Sequence, residues 1–367
     1  MRDADNLLTK IKDINNPQIH KMKDIDRRKF IASVTVAGVG LAAFSVLPKI
    51  PVPVKRIGII GLDTSQVTMI VSHINNIPGE GFDVIQPILD NDVSGFKVVA
   101  AYPYGSQKIE SSIKQIPLYI QRMKDIGVEI VDSIDALLSR VDAVMLMTFD
   151  GHPRLQQALQ VIKAGKPMFI NKPFAANLKD VLAIINASKQ YNSPIFSSSP
   201  TRYLIGAQAA SKGMAGEIMG ASTYSAAPLE PTHVDFYWYG VHGIEILFTI
   251  MGKDCHTVRR INTPNTDIVI GTWDNDRLGT YRGIRKGKAT HSGIAFGSKD
   301  ILPAGAFADV GHRPLVVEML KFFSTGITPV SVEETLAIYA FMEAADESKR
   351  LGGAPVAVED VIAKAQV

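Results

Sequence analysis

A chain of 367 residues with 46% hydrophobic and 20% charged content has the material of an ordinary globular protein of two domains, with enough chain for a sizeable core. Its formal charge of +3 arises at one end, because residues 1–53 hold nine Lys/Arg against five Asp/Glu and leave 30 basic and 31 acidic residues for the remainder. That nearly neutral body has no basic stripe with interleaved aromatics, which excludes nucleic acid as a partner, and the single Cys255 excludes an intrachain disulfide.

Residues 1–53 read as an export signal and linker. Asp26-Arg27-Arg28-Lys29-Phe30-Ile31 resembles a twin-arginine signal and precedes an apolar run, Ile31 to Leu47, that contains Gly38 and Gly40. Seventeen residues with two glycines are short for a membrane span, so no stable anchor is expected. No cysteine follows the run to carry a lipid, and Ala43 and Ser45 suit cleavage after Ser45. The expected location is the periplasm or otherwise outside the cytoplasm.

After the prolines of residues 48–53, Val54 to Ile60 is an apolar strand that enters Gly61-Leu62-Asp63-Thr64-Ser65-Gln66. A dinucleotide fold places G-x-G-x-x-G here, and only the first glycine is present. Asp63 stands where the second glycine lets the backbone approach a pyrophosphate, so its carboxylate would repel a phosphate unless it turns away. Thr64 and Ser65 offer hydroxyls and amides at the following helix N-terminus. Asn75 to Ser94 reads as an inserted surface loop. Phe96 to Ala101 is the next strand, and no acid follows it in Tyr102-Pro103-Tyr104-Gly105-Ser106, which leans toward NADP over NAD or toward no dinucleotide. A helix over Tyr119 to Ile126, a short strand over Glu129 to Val131 and a helix over Ile134 to Leu138 follow.

The stretch from Asp142 to Ala176 is one βαβ unit. Ala143 to Thr148 is apolar without polar alternation, as in a strand buried on both faces. Leu155, Ala158, Leu159 and Ile162 recur at helical spacing and Gly165 suits the C-cap. Met168 to Ile170 then delivers Asn171-Lys172-Pro173 to the carboxyl edge of the sheet, where ligands of open α/β sheets bind. The segment AGKPMFINKPFA resembles the AGKHVLCEKPLA signature of the Gfo/Idh/MocA oxidoreductases, with Asn171 in place of the glutamate. The resemblance implies an α/β protein over residues 54–367: a Rossmann-like parallel-sheet domain at 54–200, then an α+β domain with a largely antiparallel open sheet at 201–367. It also implies a cofactor, NADP or NAD, held along Gly61, Asp63, Thr64, Ser65, Thr148, Asn171 and Lys172, with Lys172 beside the nicotinamide and the reacting carbon. The family's loop histidine falls on Arg154, and His152, two positions off, reads as an exposed loop residue. Ile195 to Ser199 is the last strand of this half and ends on the same edge as Lys172.

From Thr201 the pattern changes to strands over Glu217–Ala226, Cys255–Asn262, Asp267–Trp273, Leu278–Ile284 and His291–Phe296, closed by helices over Arg313–Phe323 and Val332–Arg350. Leu229 to Gly252 resembles the family's substrate helix, D-x-G-x-H-x-x-D, with Gly240, His242 and Gly252 matching, Trp238 on the first acid and Glu245 on the second. His242, at the start of an amphipathic helix, is the expected general base, and Glu245 is near enough to orient it. Arg202, Tyr203 and Trp238 are expected to line the substrate pocket. Glu230, His233, Asp235, His242 and Glu245 match no metal spacing, so no metal is expected. By resemblance the partners are a small-molecule carbohydrate and further copies of the chain, through the open sheet face. The reaction implied is hydride transfer between a carbohydrate or cyclitol hydroxyl and NAD(P). The alternatives are a glycosidase that recycles a bound cofactor and a sugar-binding protein without catalysis, the latter favoured by Asp63 and Trp238.

Overall fold

Apolar runs too short for helices and flanked by turns become the inner strands of a parallel sheet, and successive residues of each strand then feed two different cores. The computed structural model describes residues 55–77 and 95–366, so the export segment and most of the inserted loop lie outside the described residues. The first sheet contains β1 (Lys55–Ile60), β2 (Phe96–Tyr102), β3 (Glu129–Ile130), β4 (Ala143–Leu146), β5 (Met168–Ile170) and β6 (Ile195–Phe196). Its order is β3-β2-β1-β4-β5-β6, parallel throughout. The strands alternate with α1 (Gln66–Asn75), α2 (Glu110–Asp125), α3 (Ile134–Leu138), α4 (Arg154–Lys163) and α5 (Leu178–Gln190). Ile57, Ile59, Met145 and Phe169 face one core, while Ile60, Val144, Leu146 and Ile170 face the other. The chain moves outward from β1 to β3 and returns to β4, so a crevice opens at the carboxyl ends of β1 and β4.

The second half begins with α6 (Ile205–Ser211) and β7 (Ile218–Ala226), then α7 (Asp235–Trp238) and α8 (Val241–Met251). The strands β8 (Cys255–Asn262), β9 (Thr266–Trp273), β10 (Leu278–Ile284), β11 (Ser292–Gly297) and β12 (Ile301–Pro303) follow. The helices α9 (Arg313–Thr325) and α10 (Val332–Arg350), the short β13 (Val356–Ala357) and α11 (Val358–Gln366) close the chain. The second sheet has the order β12-β11-β7-β10-β9-β8-β13 and is antiparallel except where β7 meets β10. The described residues all fall in one compact unit, and one core runs from β4 and β5 through α8 to Tyr281 and α10.

The helix that carries His242 is not amphipathic. Every residue from Val241 to Met251 is buried, because α8 lies between the second sheet and α6 and α10. Gly243 permits the close approach, since a β-carbon there would stand 2.5 Å from the Tyr281 ring. A closed set of charges anchors α7 and α10 to the same sheet: Arg260 bonds Asp235, Asp267 and Asp346, while Arg285 holds Asp267 and Lys349 holds Asp235. No described helix is long and apolar enough to cross a membrane.

Candidate active site

The turn after β1 is pressed against the end of β4. Gly61 has φ +95°, and a β-carbon on it would come within 2.4 Å of the Thr148 backbone nitrogen, so glycine is required twice over. Asp63 turns inward. Its carboxylate accepts the Phe149 N–H at 2.9 Å, the Ser106 N–H at 3.3 Å and the Ser112 hydroxyl at 2.7 Å, joining the loops after β1, β2 and β4. Burial holds its pKa above the usual carboxylate value despite those donors. Ser106 also donates to Asp150 at 2.7 Å, so negative charge is present at the end of β2 after all, supplied by neighbouring loops and invisible to a search of the strand itself.

Lys172 follows β5 and is held by a residue the sequence reading assigned only by register. Arg154 is fully buried, and its guanidinium donates to the carbonyls of Thr148, Asn171 and Lys172, clasping the ends of β4 and β5. The Lys172 ammonium position lies 4.4 Å from the Tyr239 ring centroid, 4.5 Å from Phe149 and 5.5 Å from Trp238, and it donates to the Trp238 carbonyl at 3.4 Å. Burial first, and the Arg154 charge second, lower its pKa to about 7. Asn171 donates to the Gln66 side chain at 2.7 Å, a bridge from β5 to α1 that a glutamate could not make as donor. Thr148 spends its hydroxyl on Gln157 at 2.9 Å, inside the protein.

His242 is oriented by hydroxyls rather than by a carboxylate. Thr201 donates its hydroxyl to the His242 carbonyl at 2.8 Å, so the 2.7 Å contact between Ser199 and Thr201 has Ser199 as donor. The Ser199 oxygen, its proton so committed, accepts from His242 Nδ1 at 2.7 Å. Neutral His242 therefore carries its proton on Nδ1 and its lone pair on Nε2. Burial, with the nearby His291, Lys172 and His312, keeps its pKa well below the usual histidine value. Glu245 does not bond His242 directly: it accepts from Ser198 at 2.8 Å, the Ser199 N–H at 2.9 Å and Arg202 at 2.8 Å. A helical offset of three residues brought the two onto adjoining faces, and the arginine claimed the acid.

Lys172 and His242 open on one cavity of about 200 Å³ together with Thr64, Ser65 and Gln66 of the β1–α1 turn. Tyr239, Thr201, His291 and His312 complete its polar lining. Of the expected pocket residues, Arg202 lies behind the wall, paired with Glu245 and Glu334, and Tyr203 is not among the lining residues. Trp238, expected in the lining, is buried and absent from it, with its ring packed on Phe149 at a centroid distance of 4.1 Å. His291 and His312 come from loops more than a hundred residues beyond Lys172 and carry no motif, so only the fold brings them to the cavity.

The residues weighed as metal ligands disperse: Asp235 goes to Arg260 and Lys349, and Glu245 to Arg202. Among the described residues, Asp150, His152 and His233 bring ligand atoms within 4.8 Å of one another. That set is internally satisfied, because His233 Nε2 accepts the Gly151 N–H at 2.9 Å and Asp150 accepts His152 Nδ1 at 2.7 Å. His152 is half-exposed and serves Asp150.

Residues 55–198 match the sequence profile of the oxidoreductase family with an NAD-binding Rossmann fold, Gfo/Idh/MocA. No curated protein matches the sequence. The fold is shared with a "probable dehydrogenase" from Thermotoga maritima at 18% identity, covering 84% of this chain and 100% of that one with a TM-score of 0.65. Scyllo-inositol dehydrogenase from Lactobacillus casei, solved with NAD(H) and scyllo-inositol, is 16% identical over 83% of this chain and 99% of its own, with a TM-score of 0.62. Myo-inositol 2-dehydrogenase from Lactobacillus plantarum is 15% identical over the same shares, with a TM-score of 0.63. The residues present fit such a cofactor at its phosphate and nicotinamide end: Asp63 is withdrawn from the cavity, and Thr64 and Ser65 at the N-terminus of α1 share that cavity with Lys172. Residues 55–198 thus match the NAD-binding Rossmann module of the Gfo/Idh/MocA oxidoreductases, and most of the chain shares its fold with the dehydrogenases named above.

Proposed function

We propose that this chain transfers hydride between a carbohydrate or cyclitol hydroxyl and NAD(P). The observation that carries the reading is the convergence of Lys172 from the first sheet and His242 from the second on one cavity beside the N-terminus of α1. The dinucleotide, held by Thr64, Ser65 and Gln66, would supply the hydride acceptor. The chain's own groups handle the proton. His242 Nε2, neutral and bare, accepts a hydrogen bond from the substrate hydroxyl and points its proton along a fixed line. Lys172, with its pKa near 7, is the more basic of the two and takes the proton as the carbinol carbon loses hydride. The ionisation near neutral pH therefore belongs to Lys172, not to His242 as the motif alone suggested. The inward turn of Asp63 removes one of the two reasons for a non-catalytic sugar-binding protein.

The test is reduction of NAD followed by absorbance, across a panel of polyols, cyclitols and aryl glycosides. Lys172→Met is expected to lower kcat by at least about 100-fold, equivalent to roughly 3 kcal/mol of barrier, with NADH affinity by fluorescence within about threefold. Full activity in that variant would remove the assignment. Because the ionised Asp150 is held by Ser106 in the loop after β2, where it would repel a 2′-phosphate, NAD is expected to bind more tightly than NADP. This reverses the expectation from the missing acid, and calorimetry decides it.

We also infer export and self-association. Residues 27 and 28 carry the export reading, and their replacement by lysine should retain the protein in the cytoplasm. The outer face of the second sheet supports self-association, with Ile261, Leu278, Ile294 and Ile301 all exposed.

A further inference from the structure

The ionisable side chains lining the cavity are Lys172, Tyr239, His242, His291 and His312; no Asp or Glu is among the described residues that line it. The carboxylates nearby are committed elsewhere. Asp63 faces backbone N–H groups, Asp150 faces Ser106 and His152, and Glu245 faces Arg202, whose guanidinium also holds Glu334. Asp309, close in sequence to Phe307 and His312, is exposed and turns back on the Ala306 N–H at 3.4 Å. Arg154 adds a guanidinium beneath Lys172.

His291 is the group with no other task. Its Nδ1 is buried without a hydrogen-bond partner. A buried acceptor without a donor is tolerated more readily than a buried N–H without an acceptor, so the ring proton belongs on Nε2, where it is free to donate to a ligand. Its ring centroid is 5.2 Å from that of His242, and burial with the Lys172 charge keeps its pKa below the ordinary histidine value. The segment that leads into it, Arg285-Lys286-Gly287-Lys288-Ala289-Thr290, exposes Lys286 and Lys288. A neutral polyol is matched by a site that mixes donors with carboxylate acceptors. A buried set of bases without an acid is complementary to an anion, and exposed lysines at the approach raise the rate at which an anion arrives.

We propose that the substrate of this site is a polyhydroxy acid, a sugar or cyclitol derivative bearing a carboxylate, with the carboxylate received by His291 Nε2 and the reacting hydroxyl presented to Lys172 and His242. The inference rests on the dehydrogenase reading for its chemistry but not for its binding. The carboxylate is a spectator: the carbinol C–H bond breaks with its electron pair going to the nicotinamide, the hydroxyl proton goes to Lys172, and the carbinol becomes a carbonyl.

The experiment compares D-gluconate with D-glucitol and D-glucuronate with D-glucose, by calorimetry on the full chain saturated with NADH and by turnover with NAD. Each acid is expected to bind at least tenfold more tightly than its neutral partner at pH 6.5. By pH 9 the gap should narrow as Lys172 gives up its charge, while Arg154 remains charged. His291→Gln should collapse the acid-to-neutral ratio toward one, with NADH affinity and melting temperature retained. Equal binding of acid and neutral partners, or a ratio unchanged in His291→Gln, overturns the proposal. So does displacement of the acids by NADH, which would assign the bases to the phosphates of the dinucleotide. Selective binding of the acids without turnover supports this inference and counts against the dehydrogenase reading. Turnover of neutral polyols alone does the reverse.

Discussion

Lys172 is held at a cost to the fold, and that cost has a pH signature. An unfolded lysine keeps its proton to about pH 10.4, whereas Lys172 releases it near 7 in a setting faced by Arg154, Asp63, His242 and His291. Between those values the unfolded state binds the extra proton, so stability rises with pH through that window; below about pH 7 the penalty is constant. At about 1.4 kcal/mol per pKa unit, the penalty at pH 7 is roughly 4 kcal/mol. Lys172→Met is therefore expected to be more stable than the parent at pH 7 and to gain less on going to pH 9, which thermal denaturation measures; a lower melting temperature at pH 7 would refute the desolvated amine. Ser199 makes a separate prediction. Ser199→Ala leaves the His242 Nδ1 proton without its acceptor, so kcat should fall about tenfold, near 1.4 kcal/mol, while nitrogen NMR of the imidazole shows the proton moving toward Nε2. Ser199→Thr should restore both. Lys172 and His242 were legible because each sits in a motif. Ser199, His291 and Arg154 were not, because a serine run, a loop histidine and a helix-start arginine acquire meaning only from partners brought by the fold.

At the scale of elements, the strands were readable wherever burial on two faces gave an unbroken apolar run, as in β4 and β5. The short β12 and β13 offered no such run, and the helix over Leu178–Gln190, whose buried face packs among α4, α10 and α11, had no flanking motif to draw attention. Loops were the least legible. Asp63 looked like damage to a phosphate turn, and in the structure it is a tie between three loops, made possible because N–H groups from the loops after β2 and β4 converge on it. Asp63→Gly would restore the usual glycine pattern, yet it strips the acceptor from two backbone amides and the Ser112 hydroxyl. The expected result is a loss of roughly 2–3 kcal/mol in denaturant unfolding and weaker NADH binding. Tighter NADH binding in that variant would show the carboxylate to be an obstacle after all.

At the scale of the molecule, the second sheet buries one face against α8 and α10, and among the described residues none covers the exposed apolar side chains of the other. Strand register places Ile301, Phe296 and Leu278 in one row across β12, β11, β7 and β10, with Ile294 in the next. An apolar row of that length, on strands that alternate cleanly between buried and exposed, is suited to a second copy of the same face. Phe296→Glu combined with Leu278→Glu should shift the mass in light scattering from oligomer to monomer and raise solubility. A parent protein that already runs as a monomer would end that reading.

Arg154 does not line the cavity and spends its guanidinium on three backbone carbonyls, yet its charge is one of the two influences that lower the Lys172 pKa. If Lys172 is the base proposed above, the acidity at which this protein works best is stored one layer beneath its chemistry, where it can be retuned without touching the groups that recognise a ligand. A lineage moving into more alkaline surroundings would need only to weaken that buried charge: Arg154→Met, which removes it, should carry the neutral limb of the activity profile upward in pH, whereas Arg154→Lys should leave the limb nearly in place while loosening the grip on three carbonyls. Adaptation to habitat and preservation of specificity are, in this architecture, separable mutations.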